Sequence, residues 1–67
     1  MIPFYLNGQL QQATDGDTIE SLLVKQGLNG KRLAVERNGE IVPRSRHNHT
    51  LIQPDDRIEI VIAVGGG

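Results

Sequence analysis

The chain has 67 residues, eight of them acidic and seven Lys or Arg, which gives a net charge of −1, and it has no cysteine. This length is that of one small domain, and the near-neutral charge provides no electrostatic basis for binding nucleic acid. Disulfides, thiolate metal sites and a side-chain thiol that could carry sulfur are all excluded. No apolar run approaches the roughly 18 residues that span a bilayer, and no signal peptide pattern is present, so we expect a cytoplasmic protein without membrane contacts.

The first predicted element is a β-hairpin. Apolar side chains alternate in residues 2–6, as in a strand with one buried face. The dipeptide Asn7-Gly8 that follows is the strongest short-range hairpin signal. Residues 9–13 are therefore predicted to form the returning strand.

A helix is predicted next. The turn sequence before it ends in Asp17 and Thr18, either of which can cap a helix, and Glu20 follows Asp17 at capping-box spacing. Apolar residues at positions 19, 22 and 23 form a stripe that can face a sheet. Gly27 should end the helix, because glycine readily adopts the left-handed conformation found after a helix C-terminus.

Three further strands are predicted. Residues 32–36 alternate as a strand, a second Asn-Gly pair turns the chain, and Pro43 ends the short strand that returns. Residues 58–63 alternate as the fifth strand, with isoleucines on one face and with Val61 and Ala63 on the other.

The order of these elements predicts an α+β domain with the helix on one face of a mixed five-stranded sheet. The long connection between the first and fifth strands lets these apolar strands pair in parallel at the centre of the sheet. This β-β-α-β-β-β arrangement is the ubiquitin-like β-grasp fold. We expect residues 1–64 to form the domain and residues 65–67 to form a flexible C-terminal glycine tail.

No enzyme site is visible in the sequence. The two serines have no base placed beside them by any pattern, and no glycine-rich loop joins a strand to a helix N-terminus. We therefore predict no catalytic residue.

His47 and His49 are two residues apart and are flanked by Arg44 and Arg46. In an extended segment both rings would point the same way and could chelate a metal, but the arginines oppose a cation. We expect a solvated loop that binds no metal. A basic surface that faces a partner is the alternative.

The sequence ends in Gly65, Gly66 and Gly67, directly after strand-like residues. Such glycines can be a frayed end. Alternatively, a glycine tail can pass through a narrow enzyme channel because it has no Cβ atoms. The carboxylate of Gly67 would then be the reactive group, because ATP can convert it to an acyl-adenylate from which a sulfur nucleophile displaces AMP to leave a thiocarboxylate.

Over its whole length the chain resembles the ThiS family of sulfur carriers in thiamine thiazole biosynthesis. The resemblance is carried by FYLNGQ at 4–9, NGEIVPR at 38–44, IQPDDRIEIV at 52–61 and AVGGG at 63–67. It implies that Gly67 is the modified residue and that Gly65 and Gly66 thread the active sites of partners. It also implies that the protein is a co-substrate and not an enzyme.

The resemblance further implies three partners. An adenylating enzyme of the ubiquitin-activating-like ThiF type uses ATP, a donor enzyme supplies cysteine-derived sulfur, and a thiazole synthase of the ThiG type takes that sulfur. No cofactor is expected to bind the chain itself.

From strand alternation we predict that Tyr5, Val61 and Ala63 face away from the helix and, with Val64, form a docking surface.

Three alternatives share this fold. The small subunit of molybdopterin synthase and a protein modifier that forms isopeptide bonds both use the same activation step. A plain β-grasp interaction module would not need a free glycine terminus.

Overall fold

The computed structural model describes residues 1–63. Its elements in chain order are β1 (Ile2–Leu6), β2 (Gln9–Ala13), α1 (Ile19–Lys25), β3 (Leu33–Arg37), β4 (Glu40–Ile41), a 3-10 helix (Arg44–Arg46) and β5 (Arg57–Ile62). The predicted order of five strands and one α-helix is confirmed, and the 3-10 helix is an addition. The predicted domain boundary at residue 64 and the glycine tail lie outside the described residues.

The five strands form one sheet in the order β2-β1-β5-β3-β4. β1 and β5 pair in parallel, with Tyr5 opposite Arg57 and Leu6 opposite Ile58, and every other pair is antiparallel. Parallel neighbours need a long crossover, which the helix and the middle strands provide here. The predicted central parallel pair is therefore confirmed.

The start of α1 was predicted in part. Thr18 is the N-cap: its Oγ1 accepts a hydrogen bond from the Ser21 N–H at 3.1 Å, while Ser21 Oγ accepts from the Thr18 N–H at 2.8 Å. The alternative capping box of Asp17 and Glu20 is wrong, because a cap at Thr18 places Ser21 at the third helical position. Asp17 instead forms an ion pair with Lys25 Nζ at 2.7 Å.

The end of α1 follows the prediction. Gly27 has a φ of 71°, its N–H donates to Val24 O at 3.0 Å, and the Leu28 N–H donates to Leu23 O at 2.8 Å. These two bonds form a Schellman motif, which glycine favours because it carries no Cβ. α1 has seven residues, and no helix within residues 1–63 is long and apolar enough to cross a membrane.

The core lies between α1 and one face of the sheet. Its buried apolar residues are Phe4, Ala13, Ile19, Leu22, Leu23, Val35, Ile52, Ile58 and Ile60. Leu6 of β1 and Leu33 of β3 are only partly buried and pack at the margin of this core. Each fully buried Ile or Phe side chain contributes about 1.5–3 kcal/mol, so β1, β3 and β5 are fixed mainly by this face.

Candidate functional site

β5 is the last element before the C-terminal glycines in the sequence and the central strand of the sheet. Ile58 and Ile60 are buried under α1, whereas the intervening Glu59 and the following Val61 are exposed. Because side chains alternate along a strand, Glu59 and Val61 lie on the outer face of the sheet. One face of β5 is thus anchored in the core, and its other face is exposed on the outer side of the sheet.

The structure separates the predicted docking residues into two groups. Tyr5 is half-buried on β1, with the guanidinium of Arg57 at 5.1 Å from its ring centroid, a cation–π contact. Val61 lies four residues past Arg57 on β5, about 13 Å along the strand, and pairs with Ala34 of β3. Ala63 is exposed one residue past β5. Val64 and the three glycines lie outside the described residues.

A pair of carboxylates divides the outer face. Glu36 of β3 lies directly opposite Glu59 of β5, between the Tyr5 end and the Val61 end. Like charges in this position repel and hold water, so the apolar outer face is not continuous. We call Ala34, Val61 and Ala63 the tail-side patch. Ala34 could not be predicted from the sequence pattern, because only the register of β3 on β5 places it there.

Two asparagines connect hairpin turns to β5. Asn7 and Asn38 each open an Asn-Gly turn, with φ of 49° and 53°, the left-handed conformation that a two-residue hairpin turn requires. The Oδ1 of Asn7 accepts from the Ile60 N–H at 2.9 Å, and the Oδ1 of Asn38 accepts from the Arg57 N–H at 2.9 Å. The asparagines therefore hold β5 near both of its ends, a role that the hairpin signal alone does not reveal.

Asp56 is a buried carboxylate at the start of β5. It accepts hydrogen bonds from Arg37 Nε at 2.7 Å, from the Gln53 N–H at 2.8 Å and from Asn38 Nδ2 at 2.9 Å. Burial alone would raise the pKa of Asp56, but these hydrogen bonds outweigh it and hold the pKa below the ordinary value of 3.8. The carboxylate is ionised at neutral pH and anchors the β3–β4 hairpin to β5.

His47 and His49 do not form a common site. His47 is buried, and its Nε2 lies 2.9 Å from the carbonyl oxygen of Val42, so Nε2 carries the proton that this acceptor needs. His49 is exposed. The expected solvated loop is therefore wrong for His47, because the 3-10 helix before it turns the ring into the protein interior.

Two residues of the predicted basic surface, Arg46 and His49, line a groove that also contains an acidic side chain. Arg37, Arg46 and His49 line an open groove of about 300 Å³ beside β4, together with the acidic Glu40. Both charge signs meet in this groove, so charge does not select one class of partner for it.

We predict that the two histidines form no specific zinc complex. Zinc sites usually hold three or four protein ligands, whereas residues 1–63 contain no group of three or more His, Cys, Asp or Glu side chains that could hold a metal. Titration calorimetry of the protein with zinc should show no tight one-to-one binding. Tight binding that is lost in His47→Ala would contradict this prediction.

Comparison with known proteins decides the family. The ThiS family model matches residues 4–67. The sulfur carrier protein ThiS of Bacillus subtilis is 41% identical over 63 residues, which cover 92% of this chain and 96% of that protein. The chain belongs to the ThiS family. The family match includes the three glycines and so extends past the described residues.

Two further relatives bear on the fold and on the family's context. A crystal structure of a thiamine biosynthesis protein (ThiS) from Geobacter metallireducens matches with a TM-score of 0.77 and 26% identity, covering 98% of this chain and 100% of that one. This match confirms the predicted β-grasp fold for the ThiS-family chain. A thiazole synthase of Magnetococcus marinus is 41% identical over 63 residues, which are 94% of this chain but only 19% of that protein.

Proposed function

We propose that the protein is a sulfur carrier whose reactive group is the carboxylate of Gly67. In the first step a carboxylate oxygen attacks the α-phosphorus of ATP, and pyrophosphate leaves. In the second step a sulfur nucleophile at the oxidation level of hydrosulfide forms a bond to the acyl carbon, and AMP leaves. The product is a thiocarboxylate that supplies sulfur for thiazole formation. The observation that carries the proposal is ThiS-family membership over residues 4–67, which include the terminal glycines.

In this proposal the protein is a co-substrate, and the catalysts are its partners. The absence of cysteine supports this role, because the chain has no thiol that could hold sulfur. An adenylating enzyme of the ThiF type, a cysteine-derived sulfur donor and a thiazole synthase are the partners that the reaction needs. Support for the thiazole synthase comes from two relatives of that name, in each of which 19% of the length aligns with this chain. These relatives favour the thiazole alternative over molybdopterin synthase and over a protein modifier.

The decisive experiment measures the intact mass of the protein after incubation with ATP, sulfide and a ThiF-type adenylating enzyme. We expect the mass shift for replacement of one oxygen by sulfur, located by fragmentation at Gly67. Omission of ATP and a variant that lacks Gly67 are the controls, and both should leave the mass unchanged. Failure of this shift, in a reaction that converts Bacillus subtilis ThiS, would reject the proposal.

We predict that Val61→Asp weakens docking to the adenylating enzyme or to thiazole synthase. Val61 is 62% exposed in the tail-side patch, and a carboxylate there would have to be desolvated when a partner covers it. The dissociation constant should rise at least tenfold, which corresponds to about 1.4 kcal/mol. Calorimetry with each enzyme gives the constant, and a melting curve shows that the fold is kept.

A matched control exists on the other side of the molecule. Val24 is 53% exposed on α1, so Val24→Asp makes the same chemical change away from the outer face of the sheet. This variant should bind both enzymes with nearly normal affinity. Unchanged affinity of Val61→Asp for both enzymes would remove the tail-side patch as a docking surface.

A further inference from the structure

β5 extends beyond the strand that pairs with it on one side. Within residues 1–63, β1 pairs with β5 only at Tyr5 and Leu6, and the chain then turns away at Asn7. The main chain of Asn7 makes the last backbone contact, with its N–H donating to Ile58 O at 2.9 Å. On its other side, β5 stays paired with β3 as far as Ile62.

The side chain of Asn7 continues the sheet for one more step. Its Oδ1 accepts from the Ile60 N–H at 2.9 Å, and its Nδ2 lies 3.5 Å from Ile60 O as a long second contact. A carboxamide has the same donor and acceptor groups as a peptide unit. It therefore replaces the residue that β1 would have supplied opposite Ile60 if its main chain had not turned into β2.

We propose that Asn7 is a positioning residue for the C-terminal carboxylate. Its carboxamide fixes the point at which β5 loses its second neighbour, and Gly67 lies seven residues beyond Ile60 in the sequence. Without this bond, β5 beyond Ile58 has a hydrogen-bonded neighbour only on its β3 side, and we expect the carboxylate to reach the adenylating enzyme with a wider spread of positions. This inference rests on the proposed function, because it assigns Asn7 a part in activating Gly67. Small misplacements of a reacting group are costly for the rate.

Asn38 provides a matched comparison within the same chain. Asn38 occupies the same position in an equivalent turn and contributes at least as many side-chain hydrogen bonds to the fold. Its Oδ1 accepts from the Arg57 N–H at 2.9 Å, and its Nδ2 donates to buried Asp56 at 2.9 Å. These contacts lie at the beginning of β5, far from its C-terminal end. Glycine at either position keeps the left-handed conformation and removes only the carboxamide.

The experiment compares Asn7→Gly, Asn7→Asp and Asn38→Gly with the natural sequence by melting curves, amide hydrogen exchange and ATP–pyrophosphate exchange with the adenylating enzyme. Asn38→Gly should lower the melting temperature more than Asn7→Gly does, yet support normal pyrophosphate exchange well below its melting temperature. Asn7→Gly should lower kcat of the exchange about tenfold with KM unchanged, because the docking face is intact. Its Ile60 amide should lose protection from hydrogen exchange. Asn7→Asp keeps the Oδ1 acceptor and should restore most of kcat.

Three results would overturn the inference. One is a normal kcat for Asn7→Gly, and another is an Ile60 amide that stays protected in this variant. The third is a loss of kcat that follows the loss of melting temperature, with Asn38→Gly the most impaired, because Asn7 would then act only through stability. If the natural sequence itself supports no exchange, the proposed function fails first and the role of Asn7 falls with it.

Discussion

Replacing Gly66 by alanine should leave the melting temperature almost unchanged and should lower activation by the adenylating enzyme about 100-fold. Gly66 follows the end of β5 at Ile62, and the buried apolar core of the described chain is formed by residues between Phe4 and Ile60. Substitutions away from such a core usually change the free energy of unfolding by no more than about 0.5 kcal/mol. The stability of the domain should therefore not depend on this glycine.

The proposed chemistry, in contrast, should depend on Gly66 strongly. Alanine adds a Cβ at the residue next to the reacting carboxylate, where an enzyme that must reach Gly67 needs close access to the backbone. Alanine also disfavours any positive φ that the enzyme-bound tail requires. A reacting group displaced by about 1 Å can lose on the order of 100-fold in rate. Deletion of Gly67 should be more severe, because it shifts the carboxylate by a whole residue.

A second glycine provides a control with the opposite expected result, a lower stability with normal activation. Gly16 has a φ of 92° in the turn before α1, with open space around an added Cβ, so Gly16→Ala strains the backbone without touching the tail. This variant should melt earlier by an amount that corresponds to about 1–2 kcal/mol but should be activated normally below its melting temperature. Melting curves and the rate of ATP–pyrophosphate exchange are measured for all variants. Normal exchange for both Gly66→Ala and the Gly67 deletion would show that the glycines are not a reactive tail.

The elements of this fold could be predicted from the sequence because local signals specify them. Alternating apolar residues mark β1 and β5, and the Asn-Gly pairs at 7–8 and 38–39 adopt the left-handed turns that tight hairpins require. The central parallel pair followed from the length of the connection between two apolar strands. Each of these inferences uses residues that are close in the chain or a rule of topology that applies to many sequences.

The contacts that support the candidate site could not be predicted from the sequence in the same way. Asp56 meets Arg37 across 19 residues of chain, and Asn7 meets Ile60 across 53. Such pairs depend on the register between strands, and a sequence pattern does not give the register of non-neighbouring strands. The same limitation explains why Tyr5 and Val61 were expected in one cluster, although the paired Glu36 and Glu59 lie between them.

Asp56→Asn should destabilise the domain more than any other conservative change on its surface or in its turns. The substitution removes the charge that pairs with Arg37 and places an NH₂ group among three hydrogen-bond donors. One donor is then left without an acceptor at a residue that is only 4% exposed. The side chain of Arg37 is 33% exposed and can be hydrated, so the cost is chiefly that of one unsatisfied buried donor, about 1–3 kcal/mol, in a domain whose total stability is about 3–10 kcal/mol. A large part of the stability should be lost.

The dependence of stability on pH gives this prediction a second, independent measurement. The pKa of Asp56 in the folded protein lies below 3.8, the ordinary value that applies in the unfolded chain. The unfolded state therefore binds a proton first as pH falls, so the contribution of Asp56 is complete above about pH 3.8 and is lost as pH falls through the folded pKa. Asp17, whose pKa is lowered chiefly by its hydrogen bond from Lys25, changes stability in the same direction. Asp56→Asn should retain only the part of the acid sensitivity that Asp17 and other carboxylates cause.

The neighbouring residue is the appropriate control. Asp55 is exposed, so Asp55→Asn makes the same substitution one position away from the anchor. Urea unfolding of the natural sequence and both variants, repeated from neutral pH to below 3.8, distinguishes the contributions of the two aspartates to the free energy of unfolding. Asp55→Asn should retain the stability and the acid sensitivity of the natural sequence. Asp56→Asn should lose a large part of the stability and part of the acid sensitivity. Equal curves for the two variants would mean that Asp56 does not anchor β5. β5 would then be held by its pairing with β1 and β3 and by the core contacts of Ile58 and Ile60.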